Sequence, residues 1–273
     1  MNQNKIKRVF IILFLFINIF MGYLLYQSEW RESSISEATI GHAISVLSKK
    51  NILVEQSIIP RNNQKMREVS VKNIVENSSD FVRDLKAEGW EKTEDVFSRR
   101  GESITFSGHS FEYCGNLSLE KGLSGEKLSR EVQNALNTLC LNSEGMKLKT
   151  IEQMEKGMRL EYVQIYEDYE IFGTKLTVSV EENCIKKVVG IWIEDIEMQS
   201  KRQDTLFSTE ALIRFAEEVQ PQQSLRITEI QCGYYISELN EGVSHKVMQM
   251  IPGFQVTTAS GSKYYYDARN PQQ

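Results

Sequence analysis

Three histidines, four cysteines and one dense acidic group are the side chains of this 273-residue chain with an evident capacity for catalysis or metal binding. His42, His109 and His245 stand far apart, with no H-E-x-x-H pair for zinc and no G-x-S-x-G elbow to expose a nucleophilic serine. Glu194, Asp195 and Glu197 could imitate a calcium site or a glycosidase pair. On a strand, however, Glu194 and Asp195 point to opposite faces, which favours a solvated strand end. Cys114, Cys140, Cys184 and Cys232 match neither a C-x-x-C redox motif nor zinc knuckles. They read as buried free thiols or one incidental bridge, with the pairing open. Tyr264, Tyr265 and Tyr266 could stack on a glycan, but alternation splits them between two faces, as in a strand packed on a core. No catalytic residue, metal site or cofactor is expected, and the chain does not read as an enzyme.

A polar side chain inside a long apolar run is a candidate of another kind. From Val9 to Tyr26 the sequence is almost unbroken apolar, with Lys5, Lys7 and Arg8 before it and Glu29 and Glu32 after it. As a helix this run covers roughly 27 Å, close to the ~30 Å hydrocarbon thickness of a bilayer. The charge asymmetry puts the N-terminus in the cytoplasm and everything from about Gln27 outside the cell membrane. A cleaved signal peptide would have a shorter apolar region, about 7 to 15 residues, followed by small residues. Here the exit reads Met21-Gly22-Tyr23-Leu24-Leu25-Tyr26, so a single-pass uncleaved anchor is expected. Asn18 lies one turn from Gly22, with Ile11 and Leu15 on the same face. These four form the candidate partner-binding face: in lipid an interhelical hydrogen bond contributes roughly 0.6 to 2 kcal/mol, and a small residue lets backbones approach. The competing reading has Asn18 bonding a carbonyl of its own helix.

The elements outside the anchor belong to an ordinary globular composition, 41% hydrophobic and 25% charged, able to bury a core. A net charge of −5 supplies no basic surface, which excludes nucleic acid as a partner. Residues 1–8 are expected in the cytoplasm, 9–26 as the transmembrane helix and 27–36 as a juxtamembrane linker. Ser34-x-x-Glu37 offers a capping box for a helix to about Lys50. Strands are expected over Asn51 to Ile59 and Met66 to Val75, then a helix capped by Ser79 or Asp80 and stopped at Gly89. Strands over Trp90 to Phe97 and Glu102 to Tyr113 complete a first unit, residues 37–115. The Gly-rich and Ser-rich stretch from Gly115 to Gly125 marks the boundary. In the second unit, residues 116–273, Leu128, Val132, Ala135, Leu136 and Leu139 mark a helix, and Arg159 to Ile196 a run of strands. A further helix from Ser208 or Thr209 precedes strands at Leu225 to Ser237, Phe254 to Thr258 and Lys263 to Ala268. Helix followed by antiparallel meander, repeated, gives an α+β fold with two helix-plus-sheet domains outside the membrane.

Several stretches together resemble the YycI family. Lys5 to Tyr23, with Asn18-Ile19-Phe20 and Gly22-Tyr23, is similar to its anchor. Tyr162-Val-Gln-Ile-Tyr166, Ile171-Phe172 and Leu176-Thr-Val-Ser-Val180 resemble its central sheet. Gly233-Tyr234-Tyr235, Ile251-Pro252-Gly253-Phe254-Gln-Val256 and Tyr264-Tyr265-Tyr266-Asp267-Ala268 resemble its closing strands. Phe254 and Asp267-Ala268 depart from the family's Trp and Asn-Ala, as in a distant member. The resemblance implies a non-enzymatic membrane regulator whose anchor joins a YycH-like membrane protein and restrains a WalK/YycG-type sensor histidine kinase of cell-wall metabolism in Gram-positive bacteria. The alternative is an anchored extracellular wall-ligand-binding module or a cell-envelope enzyme.

Overall fold

The computed structural model describes residues 7, 11–23, 34–74, 79–141, 143, 145–198, 201–236 and 248–270. Helix α1 covers residues 11–23. The remaining parts of the expected span, residues 9–10 and 24–26, lie outside the described residues. Among the described residues no helix is long and apolar enough to cross a membrane.

From Ser34 onward the fold is α+β, and its side chains gather into two lobes. The base lobe begins with α2 (Glu37–Lys49), whose N-cap is Ser36 rather than Ser34: the Ser36 hydroxyl accepts the Thr39 N–H at 3.1 Å. Ile40, Ala43 and Leu47 form its buried stripe. The strand expected from Asn51 shrinks to β1 (Ile52–Leu53) and a 3-10 turn, Gln56–Ile58. Asn51 sits at φ +59°, and Pro60 has no N–H to donate, so a long ladder cannot form there. After β2 (Lys65–Met66) and β3 (Val69–Asn73) the chain leaves this lobe.

The second lobe opens with α3 (Asp80–Ala87), capped by Ser79 and ended by Gly89 at φ +80°. Its buried Phe81, Val82 and Leu85 each contribute roughly 1.5 to 3 kcal/mol by leaving water. A meander follows: β4 (Glu91–Thr93), β5 (Val96–Arg99), β6 (Glu102–Ser107) and β7 (Ser110–Ser118). Next come α4 (Gly125–Asn137), β8 (Met146–Met154), β9 (Gly157–Tyr166), β10 (Tyr169–Glu181) and β11 (Cys184–Ile191). Sequence periodicity did not mark β8, whose exposed residues carry little alternation. The chain then returns to the base lobe with β12 (Ile193–Met198), β13 (Gln203–Asp204), α5 (Ser208–Glu218), β14 (Leu225–Ile236), β15 (Met248–Thr258) and β16 (Lys263–Asp267).

The resulting strand order is β12-β3-β15-β14-β10-β11-β7-β6-β5-β4, with β9 and β8 continuing from β10. Most pairs are antiparallel; β1 and the start of β10 pair parallel to β14, against the wholly antiparallel expectation. Helices α2 and α5 pack together on the base lobe, beside Phe254, Val256 and Tyr266. Helices α3 and α4 cover the other lobe's sheet. One core draws only on residues between Ile74 and Trp192, while those of the base lobe draw on both flanks and, at the β9–β10 turn, on Ile171 with Tyr166 and Tyr169. The two units are therefore nested, the second inserted into the first. The boundary expected at 115/116 falls inside β7, which pairs with β11 on both sides of it, Cys114 with Lys187 and Leu117 with Ile185.

Candidate functional site

The expected partner face lies on α1. Ile11, Leu15, Asn18 and Gly22 are exposed there, and a Cβ added at Gly22 would meet no atom within 4 Å. The side-chain amide of Asn18 donates to the Phe14 carbonyl at 2.8 Å. An amide has two N–H groups and an acceptor oxygen, so this bond within the helix uses only part of its capacity.

The catalytic candidates do not converge. His42 is exposed on α2, His109 is buried in the turn between β6 and β7, and His245 lies outside the described residues. Glu194 has a structural role: its carboxylate accepts the Phe81 N–H at 3.0 and 3.2 Å, placing negative charge at the N-terminus of α3. The side chains of Asp195 and Glu197 lie outside the described residues. No group of three metal-ligating side chains occurs among the described residues. The tyrosines split as alternation requires. Tyr264 and Tyr266 pack edge-on against Phe215, with centroids 5.1 and 6.4 Å away, and Tyr265 faces Phe172 and Tyr235 on the opposite side. The four cysteines are free thiols, and burial pushes the Cys232 thiol up to about 12, so it stays protonated.

What the fold does bring together is a polar seam where the chain crosses between lobes. At the outgoing crossing, the amide of buried Asn73 donates to the His109 carbonyl at 2.8 Å. At the return, Gln164 pairs with Ile193 as a strand would. Its Nε2 donates to the Ile193 carbonyl at 2.7 Å and its Oε1 accepts the Ile193 N–H at 3.2 Å. Beyond it the β9–β10 turn carries Glu167 and Asp168 at φ +47° and +71° and reaches the base lobe. There the Glu167 carboxylate takes two guanidiniums, Arg67 at 3.1 Å and Arg202 at 3.0 Å. The Tyr169 hydroxyl donates to Gln64 Oε1 at 2.7 Å, and Tyr166 and Tyr169 meet the buried Tyr234 ring edge-on at 5.6 and 6.2 Å. Burial raises the Tyr234 phenol to about 12.

Most of these groups pair with one another, while the buried Tyr234 hydroxyl and His109 Nε2 have no hydrogen-bond partner among the described residues. The chemistry of the seam is that of a joint: it fixes one lobe against the other. The signal in the sequence was isolated polar residues in apolar strands, Asn73 closing β3 and Gln164 within Tyr162 to Tyr166. Their partners are 36 and 29 residues away, so spacing did not reveal them. Apart from the Lys5 to Tyr23 stretch, the segments that resemble YycI fall on β9, β10, β14, β15 and β16, the strands that form and flank this joint.

A family profile described as YycI protein matches residues 31–268. No curated protein matches the sequence. Among solved structures, an uncharacterized protein from Eubacterium rectale ATCC 33656 is 11% identical, with a TM-score of 0.47, over 80% of this chain and 88% of that one. The YycI family is a regulatory one, membrane-associated, attached to the YycFG/WalKR two-component system and not known for enzymatic activity. With most of its length covered by that profile, from before α2 to the end of β16, this chain belongs to the YycI family.

Proposed function

We propose that the chain is anchored in the cell membrane by residues 9–26, N-terminus in the cytoplasm. Through helix contacts within the bilayer it associates with a YycH-like membrane protein and restrains a WalK/YycG-type sensor histidine kinase. The observation that carries this reading is the state of α1. Its large apolar side chains from Ile11 to Tyr23 are 52 to 73% exposed and none joins the lobe cores. Apolar surface on that scale is stable in lipid and against other apolar helices. Ile11, Leu15, Asn18 and Gly22 are the face offered to the partner helix.

Magnitudes set what this face does. Asn18 contributes at most about 2 kcal/mol, whereas driving a two-state kinase from one extreme to the other takes about 5.5 kcal/mol. Apolar contacts along the same face supply the remainder, and the outer lobes select the partner. Changing Asn18→Leu and Gly22→Leu together is expected to weaken association with the kinase and the YycH-like protein in a membrane two-hybrid assay, and to raise kinase output. Unchanged association and output would overturn the reading. Exchanging residues 9–26 for an unrelated span of equal length abolishes regulation on this proposal; a tethered wall-ligand binder or enzyme would keep its function.

A further inference from the structure

The start of β9 and the end of β10 lie at the opposite end of those strands from the joint. There, with the loop between β7 and α4, they enclose a recess of about 240 Å³. Its walls are apolar. Leu119, Leu128 and Val180 belong to the core of the second lobe, and the half-buried Leu123 and Met158 pack against that core. The walls are also tied to one another. The Leu119 N–H donates to the Asn183 carbonyl at 2.8 Å, which holds the loop on the β10–β11 turn. Gly157, at φ +118°, lets β9 close on β10, where an added Cβ would run into the Val180 carbonyl.

The mouth is acidic. Glu120 and Glu182 are the charged residues that line it; both are exposed, and neither has an ion-pair partner among the described residues. Lys121 and Lys156 adjoin lining residues in sequence but do not line the recess. Carboxylates elsewhere on this lobe are paired, Glu112 with Lys187 at 2.8 Å and Glu161 with Lys175. A recess of similar size, about 270 Å³ beside Ile44 and Leu53 in the base lobe, differs at this point, because its one carboxylate, Glu55, pairs with Arg226.

We propose that the recess at the end of the second lobe binds a small organic cation, a primary ammonium on an apolar body of about one aromatic ring and a two-carbon arm. An apolar cavity of about 150 Å³ holds benzene, so this volume takes the ring and the arm. The ring lies among the leucines and Met158, and the ammonium at the mouth donates to Glu120 and Glu182. Exposed ion pairs are individually weak, so the apolar walls supply most of the affinity and the two carboxylates select the charge. The assignment uses no residue of α1 or of the joint, and it stands apart from the reading of the anchor.

The test is a titration of phenethylammonium into the full chain in phosphatidylcholine nanodiscs, with the methionine methyl groups labelled with carbon-13. The Met158 signal is expected to move along a saturating curve while Met66, buried in the base lobe, stays in place. The neutral analogue 2-phenylethanol should bind at least five-fold more weakly. Glu120→Gln with Glu182→Gln should weaken phenethylammonium at least three-fold and leave 2-phenylethanol unchanged. No saturable shift at Met158, or an equal shift at Met66, overturns the proposal. Equal affinity for the two compounds overturns it too, since the recess would then suit any apolar group, as does an affinity for phenethylammonium that the two glutamines leave unaltered.

Discussion

Glu194 belonged to the densest acidic cluster in the sequence, and its use is to hold a helix. Its carboxylate accepts the Phe81 N–H in the first turn of α3 from across the return crossing, where helix geometry leaves donors without partners. Glu194→Ala is expected to destabilise the protein by about 0.5 to 2 kcal/mol in urea unfolding, without altering any metal response. Asp168 is the converse case. It is exposed at φ +71° in the β9–β10 turn, where glycine carries no steric penalty. Asp168→Gly is expected to raise stability by roughly 0.5 to 1 kcal/mol, read as a higher denaturation midpoint. Glu167 beside it has a similar backbone but cannot be relieved so simply, since removing its carboxylate leaves Arg67 and Arg202 without their shared partner.

Strand β10 is the element that makes two sheets into one network. Its start lies beside β14 and its later part between β9 and β11. Gly173, at φ +86°, supplies the turn of backbone between these roles. On β14, Gly233 lets β10 approach: an added Cβ would lie 2.5 Å from the Glu170 carbonyl oxygen and 2.5 Å from the tip of the Phe172 ring. The carbonyl cannot move without breaking the crossing. Gly233→Ala is therefore expected to cost about 1 to 3 kcal/mol, with hydrogen exchange rising first at the β10–β14 contact. Helix α3 was legible from a cap, a stripe and a stop, Ser79, Phe81 with Leu85, and Gly89, whereas α4 and α5 were legible from their apolar stripes: neither has a side-chain cap, and the N-cap of α5 is Phe207 rather than Ser208 or Thr209. β8 and β1 were not. One is an exposed edge and the other two residues long, so neither has the alternation that burial of one face imposes.

At the scale of the whole molecule, nesting couples the lobes. Buried phenols and a thiol at their cores prefer the neutral state: Tyr162 and Tyr234 are raised to about 12 from an ordinary value near 10, and Cys232 also to about 12. Because the folded values are raised, the stability they confer is whole below the unfolded values and is lost as pH climbs toward the folded ones. The urea midpoint should accordingly fall between about pH 9 and pH 12, and Tyr162→Phe should flatten that fall by about 1 to 2 kcal/mol. A fragment ending at residue 115 is expected to show no cooperative unfolding by circular dichroism, since it loses β11 and α4 from the core around Phe111 and Tyr113. The sequence by itself determined the α+β class, the helices, the apolar run at the start and the family, because each is written in local periodicity or in ordered motifs. It also contains neither an H-E-x-x-H pair nor a G-x-S-x-G elbow. Only the tertiary structure decided that a second lobe is built from within residues 74–192, with the β9–β10 turn reaching back into the base lobe, and that Asn73, Gln164, Glu167 and Glu194 work at one joint. Those contacts span from tens to more than a hundred residues, and their partners are backbone groups or single side chains that leave no period in the sequence.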